Sequence, residues 1–312
     1  MTITPEQNDD EDQPAMHHGL SFKCLDHGYV TVRDWMGSDY SICQSARTSY
    51  QKGTKTVSDD RTLIRYLIKH AHSTPIEMAV LIVEIKLPIF VARQFVRHRA
   101  STLNEVSARY SELPAEYYIP RPEDLGRQSK SNKQGRDTTQ LDELESGQIL
   151  SLITEHSKTS FELYDTLLGK DTKLLNSICP GKQKSNLEIA RELARMVLPV
   201  NTYTNWVWKI DARNLLNLLK LRLDTHAQYE IRVYAQALAE IVKVWLPFVW
   251  EAFVDYELEA VKLSKQQFEF FMNCLDGKLD TNYVWELLDD KGKPDNLTKR
   301  EYDELRAIIG DR

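Results

Sequence analysis

The chain has 312 residues, of which 42% are hydrophobic and 28% are charged, and these proportions exclude wholesale disorder. Its 40 Lys and Arg against 46 Asp and Glu give a net charge of −6, which disfavours a surface that wraps duplex nucleic acid. A small anionic ligand needs only a few arginines and is not excluded. The cysteines, Cys24, Cys43, Cys179 and Cys274, form no metal or redox motif, which indicates free thiols in a reducing, cytoplasmic compartment.

Residues 1–19 carry five acidic residues and are predicted to form a disordered tail. No signal peptide is recognisable, and no apolar run approaches the roughly 18 residues of a membrane span. Hydrophobic periodicity and proline positions predict the elements that follow. In chain order these are short strands and turns over 20–45, a helix over 59–70, a strand over 78–87, a helix over 89–99, an irregular polar segment over 100–110, helices over 149–169 and 187–197, a strand over 201–209, and helices over 211–223 and 225–245.

Two segments differ in composition from the rest of the chain. Residues 126–147 contain only two large apolar residues, Leu141 and Leu144, and are predicted to be a polar insertion. Residues 256–312 are charged and are predicted to be a helical extension. The intervening region, 20–255, is therefore predicted to be one folded domain.

The densest cluster of polar residues runs from Gln94 to Tyr110. Gln94, Arg97 and His98 lie at i, i+3 and i+4 of the predicted helix, so they share one face. Arginines beside an apolar strand need partners, and a phosphate suits the planar donors of a guanidinium. Two alternatives stay open: a nucleic-acid patch, or an internal salt-bridge network that comprises Arg97, Arg99, Glu105 and Arg109.

The predicted helix over 211–223 carries leucines around most of its circumference, which indicates burial on nearly all sides. Arg213 and Asn217 share a face, and Arg222 lies on the opposite side, because nine residues turn a helix by roughly 900°. The helix therefore presents polar groups to two surroundings. Either Asp211 caps it and both arginines pair with carboxylates, or a ligand lies on each side.

A third cluster lies at residues 70–77, where His70, His72 and Glu77 accompany Thr74 and Pro75. Its spacing fits no common zinc set, so helix-end hydrogen bonding or ligand contact is favoured over a metal. The chain also lacks the glycine-rich phosphate loops of nucleotide-binding folds. Any nucleotide must then be held by side chains.

These residues carry a resemblance to a known family. Arg97-His98-Arg99, followed by seven residues and Ser107, is similar to the signature of flavin-dependent thymidylate synthases. The resemblance extends over roughly residues 20–255. Its further matching stretches are 45–49, 70–77, 88–94, 104–105, 109–110, 194–199, 211–222 and 224–230.

The resemblance implies an enzyme that converts dUMP to dTMP, with methylenetetrahydrofolate as the carbon donor and NADPH as the reductant through FAD. It implies a homotetramer of α/β (α+β) subunits whose mixed sheet is flanked by long helices, with no metal, nucleic-acid or membrane partner. The contacts implied for dUMP are Gln94, Phe95, Val96, Arg97, Glu105, Val106, Ser107, Ala108, Arg109, Arg195 and Arg222. The contacts implied for FAD are Ser49, His72, Thr74, Arg97, His98, Arg99, Glu105, Asp211, Ala212, Arg213, Asn217 and His226.

The chemistry of the residues agrees with this resemblance. C5 of uracil is a weak nucleophile, and no cysteine lies near the arginine clusters in the sequence to activate it by addition to C6. Arg222, permanently charged among leucines, can stabilise the enolate that develops as C5 attacks, so it is the predicted catalytic residue. The alternative is a nucleotide-binding regulatory or structural homologue without turnover.

Two positions depart from the family pattern. Asp211 stands where the family usually has Asn, so it can cap a helix but lacks an amide donor and adds a negative charge. Ala108 stands where the family often has Gly, and a backbone N–H contact to phosphate survives if φ stays negative.

Overall fold

The computed structural model describes residues 15–48, 57–130, 135–137, 141–170, 177, 180 and 188–275. Its sheet has the order β1-β2-β3-β5-β4, and every neighbouring pair is antiparallel. The strands are β1 (Ser21–Cys24), β2 (Gly28–Met36), β3 (Val80–Pro88), β4 (Ser101–Glu105) and β5 (Tyr203–Asp211).

The expectation of a mixed sheet is therefore wrong, although the α+β class is correct. Met36, at the end of β2, lies opposite Val80, at the start of β3. The helices between these strands thus return the chain to the end of the sheet that it left, which makes the pair antiparallel.

Helices are the other main elements of the described chain. They are α1 (Asp39–Thr48), α2 (Val57–Lys69), α3 (Thr74–Glu77), α4 (Ile89–Phe95), α5 (Glu143–Leu167), α6 (Arg191–Ala194), α7 (Ala212–Arg222), α8 (Tyr229–Trp245), α9 (Pro247–Phe253) and α10 (Lys265–Leu275). Short 3₁₀ turns span Pro122–Asp124 and Arg195–Val197, and a π turn spans Val254–Leu258.

Several predicted elements differ from the observed ones. Strand β4 replaces the irregular segment expected over 100–110; it forms the edge of the sheet with mostly exposed side chains, so no apolar alternation marks it. Helix α1 occupies 39–48, where strands and turns were expected. The helix expected over 89–99 ends at Phe95, and the one over 187–197 is only α6 and a 3₁₀ turn.

Other boundaries follow local capping. Helix α5 begins at Glu143, inside the predicted polar insertion, because the Asp142 carboxylate accepts a hydrogen bond from Glu145 N at 2.8 Å. Helix α8 begins at Tyr229 rather than at 225, after a turn closed by a bond from Ala227 N to Asp224 O. Of the predicted acidic tail, residues 1–14 lie outside the described residues.

The core forms where β3 and β5 face the helices. Alternate residues of β3, from Leu81 to Leu87, are buried, as are Trp206 and Trp208 of β5. The Phe95 ring at the end of α4 packs edge-on against both indoles, with centroids 6.4 and 5.8 Å away. This contact fixes the end of α4 over the middle of β5.

Helices α4 and α7 begin at opposite ends of the sheet. Pro88 leads into α4 and pairs with Tyr203, whereas Asp211 leads into α7 and pairs with Val80. A nine-residue strand spans about 27 Å, and the seven residues of α4 and eleven of α7 span about 10 and 16 Å. Helices that run back over the sheet from its two ends therefore bring their C-termini together.

The cap at the start of α7 is as predicted. Asp211 Oδ1 accepts a hydrogen bond from Asn214 N at 2.9 Å, and Oδ2 accepts one from Asn214 Nδ2 at 2.7 Å. Both carboxylate oxygens are therefore used within the first turn, which satisfies one of the helix's unpaired N–H groups.

The chain divides into two compact units, one that ends at Phe253 and one that begins at Val254. The described part of the second unit contains a π turn and α10. Within the described ranges, no helix combines the length and the apolar character needed to cross a bilayer.

We expect Asp211→Ala to lower the free energy of unfolding by about 1 kcal/mol, because the first turn of α7 loses its acceptor. Asp211→Asn keeps an acceptor oxygen and should stay within about 0.5 kcal/mol of the wild type. Urea denaturation measures both values. Equal destabilisation by the two substitutions would contradict the capping role.

Candidate active site

The ends of α4 and α7 meet at a hydrogen bond between an arginine and a histidine. Arg222 Nε donates to His98 Nε2 at 3.2 Å, and both side chains are partly buried. An accepting Nε2 requires a neutral imidazole with its proton on Nδ1. Burial, and then the Arg222 charge, lower the pKa of His98 below its ordinary value of 6.5, which keeps the ring neutral.

The Arg222 guanidinium has no carboxylate within ion-pair distance among the described residues. Burial alone lowers its pKa, with no opposing contribution from an acidic neighbour. A guanidinium in this setting remains charged, so Arg222 supplies an uncompensated positive charge. Such a charge stabilises an anion or an oxygen on which negative charge develops.

The other end of α7 contacts a different element. Arg213 Nε donates to Ser73 Oγ at 3.0 Å, immediately before α3. The prediction that α7 presents its arginines to two surroundings is therefore confirmed. The idea that both pair with carboxylates finds no support within the described chain, because their observed partners are a neutral hydroxyl and a neutral imidazole.

The residues around α3 form an exposed group. His72 and Thr74 are exposed, and the Tyr66 ring lies 4.5 Å from His70 and 5.5 Å from His72 between centroids. Among the described residues, no three His, Cys, Asp or Glu side chains are placed to hold a metal ion.

The segment after β4 is tied to β5. Glu105 Oε1 accepts a hydrogen bond from Thr204 Oγ1 at 2.6 Å, and Val106 N donates to Asn205 O at 2.9 Å. Ser107 Oγ then accepts from Arg109 N at 3.3 Å, which shapes the turn. These contacts hold the backbone from 105 to 109 in place.

Two arginines that lie far apart in the sequence converge on α6. Arg109 Nε lies 3.3 Å from the Glu192 carboxylate, and Arg195 Nε donates to Glu192 O at 3.3 Å. Both guanidinium groups are exposed. The structure thus brings these two predicted dUMP contacts to one place.

The salt-bridge network considered for the first cluster is not formed within the described part of the chain. Glu105 bonds Thr204, and Arg109 pairs with Glu192, so neither acts on the other. Arg97 and Arg99 are exposed, and no described carboxylate forms an ion pair with them. Their charges stay available to a ligand.

Some predicted site residues cannot offer a side chain. Phe95, Ala108 and Ala212 are buried, so a ligand could reach only their main chain. Val96 and Val106 are exposed, as are Asn217 and His226, and His226 Nδ1 donates a hydrogen bond to Asp224 Oδ1 at 2.9 Å. Ser49 lies outside the described residues.

Gln228 and Glu230 carried no assigned role in the sequence analysis, yet they adjoin the site. Gln94 Nε2 donates to Gln228 Oε1 at 2.6 Å, and Gln228 Nε2 donates to Glu230 Oε2 at 2.8 Å. Glu230 is 4% exposed, and Arg136 donates to both of its oxygens at 2.7 Å. The sequence signal that could have found them was a glutamine followed two residues later by a carboxylate at the start of α8, within the stretch 224–230 that matches the family.

Neither described thiol is suited to be a nucleophile. Cys24 and Cys43 are both buried. Burial raises the pKa of Cys43 to about 12 and that of Cys24 further still, so both stay protonated near neutral pH. Cys179 lies outside the described residues.

A cavity of about 690 Å³ opens elsewhere, between the β1-β2 turn, the segment near Arg121 and the face of α8 that carries Arg232. None of the predicted site residues lines it. The candidate site at the ends of α4 and α7 is therefore distinct from this cavity.

Comparisons with known proteins agree with one another. A family model described as thymidylate synthase complementing protein, Thy1, matches residues 31–248. The chain is 43% identical over 300 residues to the flavin-dependent thymidylate synthase of Rickettsia bellii, with 95% of this chain and 96% of that protein covered. It is 45% identical over 286 residues to the protein of the same name from Ruegeria pomeroyi, with 92% and 87% covered.

Among solved structures, the fold is similar to that of a UMP/dUMP methylase, PolB, from Streptomyces cacaoi, bound with 5-Br dUMP. The TM-score is 0.63 and the identity is 29%, over 76% of this chain and 98% of that chain.

We expect Arg222→Gln to raise the pKa of His98 toward 6.5, because the charge contribution is removed while burial remains. A depressed histidine pKa means that the unfolded state binds more protons, so wild-type stability falls as the pH drops below 6.5. NMR titration of the labelled imidazole measures the pKa. The control is Arg61→Gln, which removes a surface ion pair with Glu251 and should leave the pKa of His98 unchanged. If the pKa of His98 did not change in Arg222→Gln, the contact between Arg222 and His98 would be refuted.

Proposed function

The chain belongs to the flavin-dependent thymidylate synthase family, and from this premise we propose that it methylates dUMP to dTMP at the surface where α4 and α7 end. The observation that carries the proposal is the Arg222 charge, partly buried beside a neutral His98 and without a carboxylate partner among the described residues. The resemblance found in the sequence is confirmed at the level of the family.

The residues present fit an FAD cofactor. Arg97 and Arg99 are exposed without described ion-pair partners, and Arg213 uses its Nε on Ser73, which leaves its terminal nitrogens for a ligand. Guanidinium groups of this kind suit a pyrophosphate. We assign FAD contacts to these arginines together with Thr74, His98 and Asn217. When bound, the reduced flavin supplies the hydride.

NADPH as the reductant and methylenetetrahydrofolate as the carbon donor complete the proposed reaction. The folate carries a one-carbon unit at the oxidation level of formaldehyde, and the methyl product is two electrons more reduced, so the reaction consumes two electrons, which the proposal assigns to NADPH. The protein's part is to hold dUMP and to stabilise charge on its base.

Arg222 acts on the uracil. The electrons that C5 donates to the carbon donor come from an enolate of the ring, in which negative charge lies on O4, and a guanidinium beside O4 lowers the energy of that enolate before it attacks. Arg222 keeps its terminal nitrogens for this role because His98 engages only Nε. The neutral imidazole orients the guanidinium without cancelling its charge.

The dUMP phosphate is assigned to Arg109 and Arg195. Arg109 pairs with the Glu192 carboxylate and Arg195 donates to the Glu192 main-chain oxygen, so a phosphate dianion there would replace the carboxylate as partner of Arg109 and gain the terminal nitrogens of Arg195. Ser107 lies beside them and offers its hydroxyl. Glu105 completes the contacts on the sugar side.

A homotetramer is the proposed assembly. Apolar side chains stand exposed beside the phosphate contacts: Val96 is 45% exposed, Val106 41%, Tyr110 76% and Met196 72%. Exposed apolar groups around a binding surface indicate that another chain covers it. We propose that neighbouring subunits complete each site, with the catalytic region at 20–255 and the helical extension at 256–312.

We expect purified protein to be yellow and to oxidise NADPH when dUMP and methylenetetrahydrofolate are present. Arg222→Ala should lower kcat by about 10²- to 10³-fold while the flavin absorbance stays, because the enolate loses its charge partner. Arg61→Ala, which removes only an exposed ion pair, serves as the control.

Two outcomes would count against this assignment. A normal rate in Arg222→Ala would refute the role of that residue. Tight dUMP binding by the wild type without NADPH oxidation would instead favour a nucleotide-binding homologue that lacks turnover.

We expect Cys24→Ala and Cys43→Ala to keep the wild-type kcat, because both thiols are buried and protonated and the mechanism uses no thiolate. Each substitution should lower stability by roughly 1 kcal/mol through the lost packing. Steady-state turnover and urea denaturation separate the two effects. A kcat that falls a hundredfold in a folded variant would show that a thiol takes part.

A further inference from the structure

Two hydrogen bonds in sequence link the buried Glu230 of α8, through Gln228, to Gln94. The series begins at Glu230, whose carboxylate is held by Arg136 through two bonds of 2.7 Å and by the Tyr118 hydroxyl at 3.3 Å. It continues through Gln228 and ends at the Gln94 amide. Each link has a direction, because each contact joins one donor to one acceptor.

Glu230 sets the first direction. A carboxylate paired in this way with a guanidinium is ionised and can only accept hydrogen bonds. Gln228 must therefore turn its NH₂ group toward Glu230, at 2.8 Å, which leaves Oε1 on its other side. The oxygen and nitrogen of an amide are distinguished by such networks.

Gln228 then sets the orientation of Gln94. Because Gln228 presents an oxygen, Gln94 must donate its Nε2, and the two atoms lie 2.6 Å apart. The Gln94 oxygen is thereby turned away from Gln228. Within the described residues it accepts no hydrogen bond.

From this geometry, and on the basis of the proposed function, we propose that Gln228 and Glu230 are positioning residues that make Gln94 a hydrogen-bond acceptor for N3–H of uracil. The Watson–Crick edge of uracil has one donor, N3–H, between the acceptors O2 and O4. Arg222 can only donate and matches O4, whereas the Gln94 oxygen matches N3–H. Cytosine carries an unprotonated N3, so this acceptor disfavours it.

The proposal also gives a role to part of the polar insertion. Arg136, within 126–147, supplies both bonds to Glu230, and its guanidinium also donates to Asp124 O. The Arg136 guanidinium further lies over the Tyr229 ring, 5.8 Å from its centroid. The insertion thus holds the first member of the chain that orients Gln94.

The test compares the affinities of the FAD-loaded protein for dUMP and dCMP. In Glu230→Gln the new amide can donate to Gln228, which reverses both glutamines and turns the Gln94 nitrogen toward the base. We expect dUMP affinity to fall about tenfold or more and the dUMP-to-dCMP ratio to fall with it, because a matched hydrogen bond to N3–H is replaced by two donors that face each other.

Gln228→Met provides the second variant, and because Gln228 is exposed it should fold normally. It removes the acceptor that fixes Gln94, so dUMP affinity should fall about 3- to 10-fold while dCMP affinity changes little. KM for dUMP should rise with kcat nearly unchanged. The control is Glu240→Gln, which makes the same chemical change as Glu230→Gln on the surface of the same helix. It should alter neither the ratio of the affinities for dUMP and dCMP nor the KM for dUMP.

An unchanged dUMP-to-dCMP ratio in folded Gln228→Met would overturn the inference while leaving the proposed function intact. Wild-type protein that binds neither nucleotide would overturn the proposed function, and this inference with it. A dUMP-to-dCMP affinity ratio that falls in Glu230→Gln and in Gln228→Met, but not in Glu240→Gln, would support the inference.

Discussion

The positive charges at the two ends of α7 depend on having neutral partners. Arg222 donates to an imidazole nitrogen and Arg213 to a serine hydroxyl. Elsewhere in the described chain, arginines pair with carboxylates, as Arg47 does with Asp60 at 2.6 Å. A carboxylate at position 98 or 73 would hold the same guanidinium in place but would cancel the charge that an anionic ligand needs. A neutral acceptor orients the group and leaves the charge.

The sheet makes this arrangement possible because β3 and β5 pair over nine residues in one register. Because the two strands are antiparallel, their C-termini lie at opposite ends of the sheet. The helices that follow them, α4 and α7, therefore approach each other from opposite directions. The Phe95 ring against the two indoles of β5 then fixes where α4 stops. The separation of His98 and Arg222 is thus set by strand length, helix length and one aromatic cluster.

Structural features that depend on local periodicity were predicted correctly from the sequence. Features that depend on contacts with residues far away in the sequence were not. The leucines of α7 revealed a buried helix with arginines on two sides, and Asp211 was recognised as its cap. Strand β4 was missed because its exposed side chains show no alternation, and the strand directions were missed because they depend on where helices return the chain. Most individual ligand assignments came from family resemblance rather than from periodicity.

The same reasoning explains why an uncharged amide suits position 94. A carboxylate there would also accept a hydrogen bond from a base, but it would attract the neighbouring Arg97 and add negative charge where anionic nucleotides bind. An amide accepts without charge, provided that something decides which of its two atoms faces the ligand. The charge that decides this, on Glu230, lies two residues beyond Gln228 and is neutralised by Arg136, 94 residues away in the sequence. The carboxylate thus directs the hydrogen bonds of the site without placing its charge there.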